Sequence, residues 1–267
     1  MSPRIAVPVF PGTNSEDETL RACRAAGIES ELVHWNAGLD DVRAFDAYVL
    51  PGGFAYEDRV RAGAIAAHDR LMSAVREGAE RGKLVLGICN GAQILLESGL
   101  APELDGIARP QAGFAPNAPL GKFRSTHVYV KLAIPPERCA ITATLPRDVV
   151  IPAWSSHAEG RLAAQPEVLE RLEREQRVAF VYCDARGETG SGVVPNGSAL
   201  GAAALVNQRG NVLAIMPHPE RDGWTFMHHD ATRERARGNA AAMLAASGGS
   251  AFFAGLAAAL RSGAALR

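Results

Sequence analysis

Short hydrophobic runs alternate with segments of helical spacing along the N-terminal third of the chain. The runs are rich in β-branched residues and end in turn residues, which predicts a mostly parallel sheet covered by helices on both faces. The segment 16–26 opens with three acidic residues and is followed by Gly27, as expected for a helix with a glycine after its C-terminus. The predicted strands are 5–10, 30–34, 47–50 and 83–88, and the predicted helices are 16–26 and 64–81.

The pattern changes in the C-terminal half, where the hydrophobic runs favour antiparallel strands. The predicted strands are 128–134, 178–183 and 202–216. The last of these is interrupted at 208–210 by Gln-Arg-Gly, which is typical of a hairpin turn. No long linker or change in composition divides the chain, so we expect one α/β domain over residues 1–267.

The C-terminal tail predicts a terminal helix at about 250–262. Phe252, Phe253, Leu256 and Leu260 recur there at helical spacing. Docking of this apolar face on the domain is the simpler interpretation, and binding of a partner is the alternative.

Composition and charge narrow the class of protein. The chain is 47% hydrophobic and 21% charged, as in soluble globular proteins. A net charge of -1 gives no reason to expect a nucleic acid or an anionic membrane as partner. Residues 1–10 lack the features of a signal peptide, and no apolar stretch is long enough to cross a membrane. We therefore expect a cytoplasmic protein.

Cysteines and histidines do not predict a metal site. The four cysteines have no C-x-x-C spacing, so neither a zinc site nor a redox dithiol is indicated. No motif surrounds His34, His68 or His127. The pair His228-His229 lies in a polar segment and is interpreted as solvated surface.

Residues 87–91, Gly-Ile-Cys-Asn-Gly, join a predicted strand to a predicted helix. Small residues two positions either side of Cys89 are typical of a nucleophile elbow, in which strand and helix approach closely and the nucleophile lies at the tip. The positive end of the helix dipole favours a thiolate there, and backbone N–H groups can stabilise an oxyanion. A buried structural cysteine in a tight turn is the alternative.

A second candidate motif is His218-Pro219-Glu220. Proline disfavours the helical conformation for the residue before it, so His218 and Glu220 are expected to face the same side of an extended segment. A general base and the carboxylate that orients it require this arrangement. A surface turn that happens to hold both residues is the alternative.

These motifs resemble those of class I glutamine amidotransferases, which carry P-G-G, G-x-C-x-G and H-P-E in this order. Within that class, the chain is most similar to the family of glutaminase subunits of phosphoribosylformylglycinamidine synthase. The similarity covers roughly residues 4–221 and implies a flavodoxin-like, three-layer αβα domain with some antiparallel strands. The stretches that carry it are 10–14, 51–56, 61–65, 87–93, 156–161, 195–198 and 216–221.

The resemblance also implies roles for individual residues. Cys89 would form a thioester with glutamine, His218 would act as the base and Glu220 as its partner. Backbone N–H groups near Gly53 and Asn90 would form the oxyanion hole. Gln93 would lie near the bound glutamine.

His157 and Glu159 belong to a second segment of the resemblance, H-x-E-G. They are candidates for the glutamine pocket or for the surface that faces a synthetase. A structural turn explains them equally well.

Several positions depart from the family pattern. Ser15 stands where these subunits often have cysteine, and Ala55 and Glu57 alter the usual S-Y-G-D run. The segment 225–247, with a charged run at 233–237, is longer than the resemblance explains. We expect these differences to affect partner specificity and loop shape more than the chemistry.

The implied reaction is thiolate attack on the glutamine amide, release of ammonia and hydrolysis of the thioester. The acceptor would be a separate large synthetase subunit that binds ATP, magnesium and formylglycinamide ribonucleotide, and a small bridging subunit is left open. Residues 78–84 fail the P-loop pattern, so no cofactor is expected in this chain. Because the chain shows no site for an acceptor substrate, we expect the partner to gate its activity.

Three other interpretations remain at the level of the sequence. An amidotransferase subunit of another ligase is disfavoured by the stretches 10–14 and 216–221. A DJ-1-like cysteine hydrolase or chaperone is disfavoured by H-P-E. An inactive subunit is disfavoured by the presence of Cys89, His218 and Glu220 together.

Overall fold

The computed structural model of the chain describes residues 2–107, 109–228, 231, 238 and 243–263. The strands are β1 Arg4–Val9, β2 Glu29–His34, β3 Ala47–Leu50, β4 Leu84–Ile88, β5 Gly113–Pro116, β6 Arg124–Leu132, β7 Val150–His157, β8 Glu159–Ala163, β9 Val178–Cys183, β10 Ala202–Val206 and β11 Val212–Ile215. The helices are α1 Glu16–Ala25, α2 Leu39–Arg43, α3 Leu71–Glu80, α4 Asn90–Glu97, α5 Pro166–Arg174 and α6 Gly248–Ser262.

Within the described residues, nine strands form a central sheet in the order β2-β1-β3-β4-β11-β10-β9-β6-β7. Strands β2, β1, β3, β4 and β11 are parallel, and the remaining neighbours pair antiparallel. Every residue of β3 and β4 is buried, as expected of central parallel strands covered on both faces. The α/β fold class and the mostly parallel sheet are confirmed.

Most predicted strands agree with the structure. The strands predicted at 47–50 and 178–183 have those bounds. Those predicted at 30–34 and 83–88 differ by one residue at the first end, and the one predicted at 5–10 differs by one residue at both ends. The hairpin predicted around 208–210 joins β10 to β11. These runs were visible because their hydrophobic residues are continuous and end at clear turn residues.

The long helix predicted at 64–81 is wrong. A short 3₁₀ turn at Ala66–His68 comes first, and α3 begins only at Leu71. Asp69 lies between them in an extended conformation, and its carboxylate accepts a hydrogen bond from the N–H of Leu71 at 2.8 Å. This local capping ends the first turn and starts a separate helix.

Strands β5, β7 and β8 were not predicted, and β6 starts four residues before the predicted 128–134. Strand β7 pairs with β6 along its whole length, from Val150 to His157. Its sequence includes Pro152 and polar residues at buried positions, so hydrophobic alternation does not reveal it. The bounds of β7 are determined by its pairing with β6, which is a tertiary contact.

The terminal helix α6 docks on the domain. Phe252, Phe253 and Leu256 are fully buried. A Cβ on Gly249 would lie 2.2 Å from the carbonyl oxygen of Pro219, so α6 packs very closely against the turn at 219–222.

No helix of the described ranges has the length and apolarity needed to cross a bilayer. The charged run 233–237 lies outside the described residues.

Candidate active site

The family motifs meet at one edge of the central sheet. The chain turns after the carboxyl ends of β1, β3, β4 and β11, and these four strands are parallel neighbours. The turns carry residues 10–15, 51–55, Cys89 and His218. Open α/β sheets commonly bind ligands in the crevice outside these strand ends.

Cys89 occupies a strained elbow between β4 and α4. Its φ of 51° and ψ of -106° are rare for a residue with a side chain. Glycine is required on both sides, because a Cβ on Gly87 would lie 2.5 Å from the Gly91 carbonyl oxygen and one on Gly91 would lie 2.1 Å from that of Leu50. The elbow therefore fixes the direction of the Cys89 side chain at the N-terminus of α4.

His218 and Glu220 form a buried pair next to this cysteine. His218 is extended, with φ -96° and ψ 94°, and its Nδ1 lies 2.5 Å from Oε1 of Glu220. Cys89 lies beside the imidazole, and its thiol donates a hydrogen bond to the carbonyl oxygen of Ser156 at 3.7 Å. The ring is thus held between carboxylate and sulfur, in the order expected for a nucleophile, a base and an orienting acid.

The charges around His218 favour its protonated form. Burial opposes the imidazolium, but the charges of Glu220 and Cys89, together with hydrogen bonds to both, raise the pKa of His218 to about 10. At neutral pH the arrangement therefore favours the imidazolium form of His218. The protonated ring provides a proton donor for a leaving group beside Cys89.

The other three cysteines are held as thiols. Burial, with a contribution from the charge of Glu220, raises the pKa of Cys23 to about 12. Burial and the charge of Asp184 raise the pKa of Cys183 to about 11. Burial also raises the pKa of Cys139. An electrophile should therefore discriminate against these three sites.

Gly52 fills the space between the triad residues. A Cβ on Gly52 would lie 2.6 Å from Cε1 of His218, 3.2 Å from Oγ of Ser15 and 3.4 Å from Cβ of Cys89. The first distance is shorter than a side chain tolerates, so the imidazole would have to move. The P-G-G turn is thus needed for the close packing of the triad.

We predict that Gly52→Ala lowers kcat/KM for glutamine by about 100-fold, because a displacement of a catalytic group by about 1 Å has an effect of this order. Gly113→Ala is the matched control, since a Cβ there meets no atom within 4 Å. Steady-state kinetics and thermal melting of both variants measure the effect. An unchanged rate in a folded Gly52→Ala variant would show that the imidazole is not constrained as described.

Gly53 and Asn90 directly follow Gly52 and Cys89 in the chain, so their backbone N–H groups lie near the elbow. Within the described part of the chain, neither N–H has a hydrogen-bond acceptor. The Asn90 side chain is engaged: its oxygen accepts from the N–H of Ala55 at 2.9 Å, and its nitrogen donates to Asp58 at 3.0 Å and to Gln93 at 2.8 Å. It therefore fastens the 53–58 loop to the elbow.

Gln93 is engaged at both ends of its side chain. Its oxygen accepts from Asn90, and its nitrogen donates to the carbonyl oxygen of Glu159 at 2.6 Å. The side chain is 5% exposed. This geometry fits a residue that joins α4 to β8, and a contact of Gln93 with glutamine stays a prediction.

His157 and Glu159 have different surroundings. His157 is 3% exposed, and its ring nitrogens lie 2.9 Å from Oγ of Ser155 and 3.2 Å from Oδ1 of Asn117. Burial and the charge of His218 lower the pKa of His157 to about 4, so the ring is neutral at physiological pH. Glu159 is half-buried and accepts a hydrogen bond from the N–H of Ala62 at 3.3 Å. The geometry fits a structural role for His157 in the wall of the site.

Arg221 connects the catalytic turn to the first helix, a role that the sequence did not suggest. It donates to the carboxylate of Glu18 at 2.8 Å and to Oγ of Ser15 at 2.9 Å. Ser15 also donates to Oδ1 of Asn14 at 3.2 Å. Ser15, which stands where these subunits often have cysteine, thus accepts a hydrogen bond from the charged side chain of Arg221. The position of Arg221 directly after H-P-E was the available signal.

The loop after Gly53 holds several strained residues. Tyr56, Glu57, Asp58 and Val60 all have positive φ, between 52° and 74°. Burial raises the pKa of Asp58 to about 6, against the lowering effect of its hydrogen bond from Asn90. The family glycine that Glu57 replaces would adopt this conformation without the steric cost. The loop therefore stores strain beside the elbow.

Known proteins similar to this chain indicate its family. Residues 2–248 match the family model of the CobB/CobQ-like glutamine amidotransferase domain. The chain is 42% identical over 228 residues to phosphoribosylformylglycinamidine synthase subunit PurQ of Methanothrix thermoacetophila. The aligned region covers 82% of this chain and 86% of that protein. It is 45% identical over 223 residues to the subunit of that name from Symbiobacterium thermophilum, with 82% and 87% covered.

A solved structure is also similar over most of its length. The match is to a chain in the structure of PurLQS from Thermotoga maritima, with a TM-score of 0.69 and 31% identity. It covers 85% of this chain and 92% of that one. The similarity in fold therefore extends over most of both chains.

Proposed function

The chain belongs to the PurQ subunits of phosphoribosylformylglycinamidine synthase, a family of class I glutamine amidotransferases, and we propose that it hydrolyses glutamine at Cys89. We propose that the ammonia is supplied to a separate synthetase. The observation that carries the proposal is the position of Cys89 beside the hydrogen-bonded pair of His218 and Glu220 at the sheet edge. The products of this hydrolysis are glutamate and ammonia.

Each residue of the triad has its own role in the reaction. The Cys89 thiolate attacks the side-chain carbonyl of glutamine, and the N–H groups of Gly53 and Asn90 stabilise the oxyanion. His218 gives its proton to the leaving ammonia and then takes one from the water that hydrolyses the γ-glutamyl thioester. Glu220 holds the ring and balances its charge throughout.

The synthetase supplies the rest of the reaction. We propose that ATP and magnesium bind to that large subunit, where ammonia converts formylglycinamide ribonucleotide to formylglycinamidine ribonucleotide. The relatives named as subunits of this synthase, and the missing P-loop pattern at 78–84, support this division of labour. A small bridging subunit is compatible with it.

Partner-dependent activity fits the burial of the triad. Cys89, His218 and Glu220 are 5%, 1% and 3% exposed, so a movement nearby would widen the access of glutamine to the sulfur. The strained loop at 56–60 is tied to the elbow through Asn90 and is a suitable element to move. We propose that docking of the synthetase shifts this loop and opens the site.

Exposed apolar residues on and beside this loop fit a docking surface for the synthetase. Val60 is 86% exposed, and the rings of Phe54 and Phe123, each about half exposed, lie 6.4 Å apart. An open groove of about 500 Å³ runs beside Val60 and Ile65. Apolar side chains at these positions gain free energy when a partner covers them.

We predict that Val60→Asp weakens binding to the synthetase by about tenfold or more, because it removes an apolar contact and forces a charge into the interface. Leu32→Asp on the edge strand β2 is the control, with 36% exposure in the parent residue. Binding measured by calorimetry and partner-stimulated glutaminase rates report the effect. Equal affinities for the two variants would place the synthetase on another surface.

Reconstitution with the synthetase tests the function directly. The complex receives ATP, magnesium, formylglycinamide ribonucleotide and glutamine labelled with ¹⁵N in the amide, in the presence of unlabelled ammonium. The proposal predicts labelled product that excess ammonium dilutes only weakly, and no labelled product with Cys89→Ala. Synthesis that uses ammonium but never glutamine would contradict it.

A further inference from the structure

A second cluster of ionisable side chains lies beside the catalytic turn, although the sequence predicted no metal site. His127 of β6, Asp222 at the end of the 219–222 turn and His228 each offer one ligand atom, and these atoms all lie within 4.8 Å of one another. We propose that this His127–Asp222–His228 cluster binds one divalent transition-metal ion, of which Zn²⁺ is the type. The ion would have a structural role.

The ligand types and distances support this assignment. Two imidazoles and one carboxylate, with a water in the fourth position, form a common three-ligand zinc site. Ligand atoms at about 2.0–2.1 Å from one tetrahedral ion are about 3.3 Å apart. Nε2 of His127 and Oδ2 of Asp222 are 2.8 Å apart, and the His127 and His228 ring centroids are 4.4 Å apart. Small rotations of the side chains bring all three ligand atoms around one ion.

Burial of the carboxylate supports a cation at this place. The Asp222 side chain is 0% exposed and that of His127 is 5% exposed. A buried carboxylate is costly unless hydrogen bonds and an opposite charge compensate it. A divalent ion bound by Asp222 and two neutral imidazoles would supply that charge.

Neighbouring groups hold the three ligands in place. Oγ of Ser247 donates to Oδ1 of Asp222 at 2.6 Å, and the hydroxyl of Tyr129 lies 3.2 Å from Nε2 of His228. The Trp154 ring packs edge-on against the His127 ring at 5.3 Å. Hydrogen bonds to metal ligands fix their orientation.

The location indicates what the ion would do. His228 belongs to the segment 225–247, which is longer than the family resemblance explains, whereas His127 belongs to β6 and Asp222 to the 219–222 turn. Asp222 lies two residues after Glu220 in the same turn. An ion in the cluster would fasten the start of this segment to β6 and to the turn that carries the triad carboxylate.

Metal titration tests the assignment independently of catalysis. The parent is the Cys89→Ala chain, so that the reactive thiol cannot bind the metal, and it is freed of metal with a chelator. Zn²⁺ is titrated against a chromophoric competitor, and Co²⁺ is followed by its visible absorption. We expect one ion per chain, about 100-fold weaker binding in His228→Ala, and unchanged binding in His68→Ala, which alters an exposed histidine outside the cluster.

Thermal unfolding gives a second readout. Zn²⁺ should raise the Tm of the parent and of His68→Ala but not of His228→Ala, because an ion that binds the folded state stabilises it. His228→Gln replaces His228→Ala if the latter does not fold. Absence of stoichiometric binding to the parent, or equal binding by the parent and the His228 variant, would overturn the proposal and leave a hydrogen-bonded group at this position.

Discussion

Replacement of Cys89 by alanine should lower the rate of glutamine hydrolysis by a factor on the order of 10⁵, because loss of a nucleophile removes the covalent route altogether. Steady-state ammonia release by the reconstituted complex measures this loss. The fold should survive, since alanine fits at the elbow and the strained backbone depends on Gly87 and Gly91 rather than on sulfur. The melting temperature should change by a few degrees at most.

Cys183→Ala is the matched control for this variant. Cys183 is also buried, but it ends β9 and its pKa is raised to about 11. Its replacement should leave the rate within about twofold, as expected for a cysteine outside the chemistry. Equal losses in the two variants would show that the decline reflects packing and would remove Cys89 from the role of nucleophile.

Replacement of Glu220 by glutamine should lower kcat on the order of 10³- to 10⁴-fold and move the alkaline limb of the pH profile to lower pH. The carboxylate orients the His218 ring, and loss of an equivalent carboxylate in a catalytic triad has an effect of this size. Burial opposes the imidazolium, and Glu220 is the first of the groups that outweigh this effect and raise the pKa of His218 to about 10. Without that charge the ring should lose its proton at a lower pH.

The direction of the pH effect on rate and stability follows from the raised pKa of His218. The parent protein should keep its proton donor until the pH approaches about 10, and its acylation rate should fall above that value. The same proton contributes to stability fully below the unfolded value of about 6.5, and this contribution is lost as the pH rises through about 10. The pH dependence of kcat/KM for parent and variant measures the shift. Superimposable alkaline limbs would contradict the charge coupling.

The two parts of the candidate triad, Cys89 at one turn and His218 with Glu220 at another, could be proposed from the sequence because the geometry of each part is local. The close approach of strand and helix at Cys89 demands Gly87 and Gly91, and the proline after His218 keeps that residue extended. The order of the motifs then assigned the family, and the relatives confirm it. The family membership excludes the DJ-1-like interpretation.

The surroundings of the triad could not be predicted in the same way, because they depend on tertiary contacts. Gln93 is far in sequence from the Glu159 carbonyl that it binds, and His157 is buried by Asn117, which no motif marked. The cluster of His127, Asp222 and His228 is assembled from β6, the catalytic turn and the segment after it. Sequence spacing carries no signal for such contacts.

Covalent labelling with an electrophilic glutamine analogue, followed by peptide mapping in a mass spectrometer, tests the central claim most directly. The reaction is run with the synthetase present, with and without excess glutamine, on the parent and on Cys89→Ala. The structure predicts one modified residue, Cys89, protection by glutamine, and no labelling of Cys23, Cys139 or Cys183, whose pKa values are raised. Labelling at one of those three cysteines, or none at Cys89, would contradict the account.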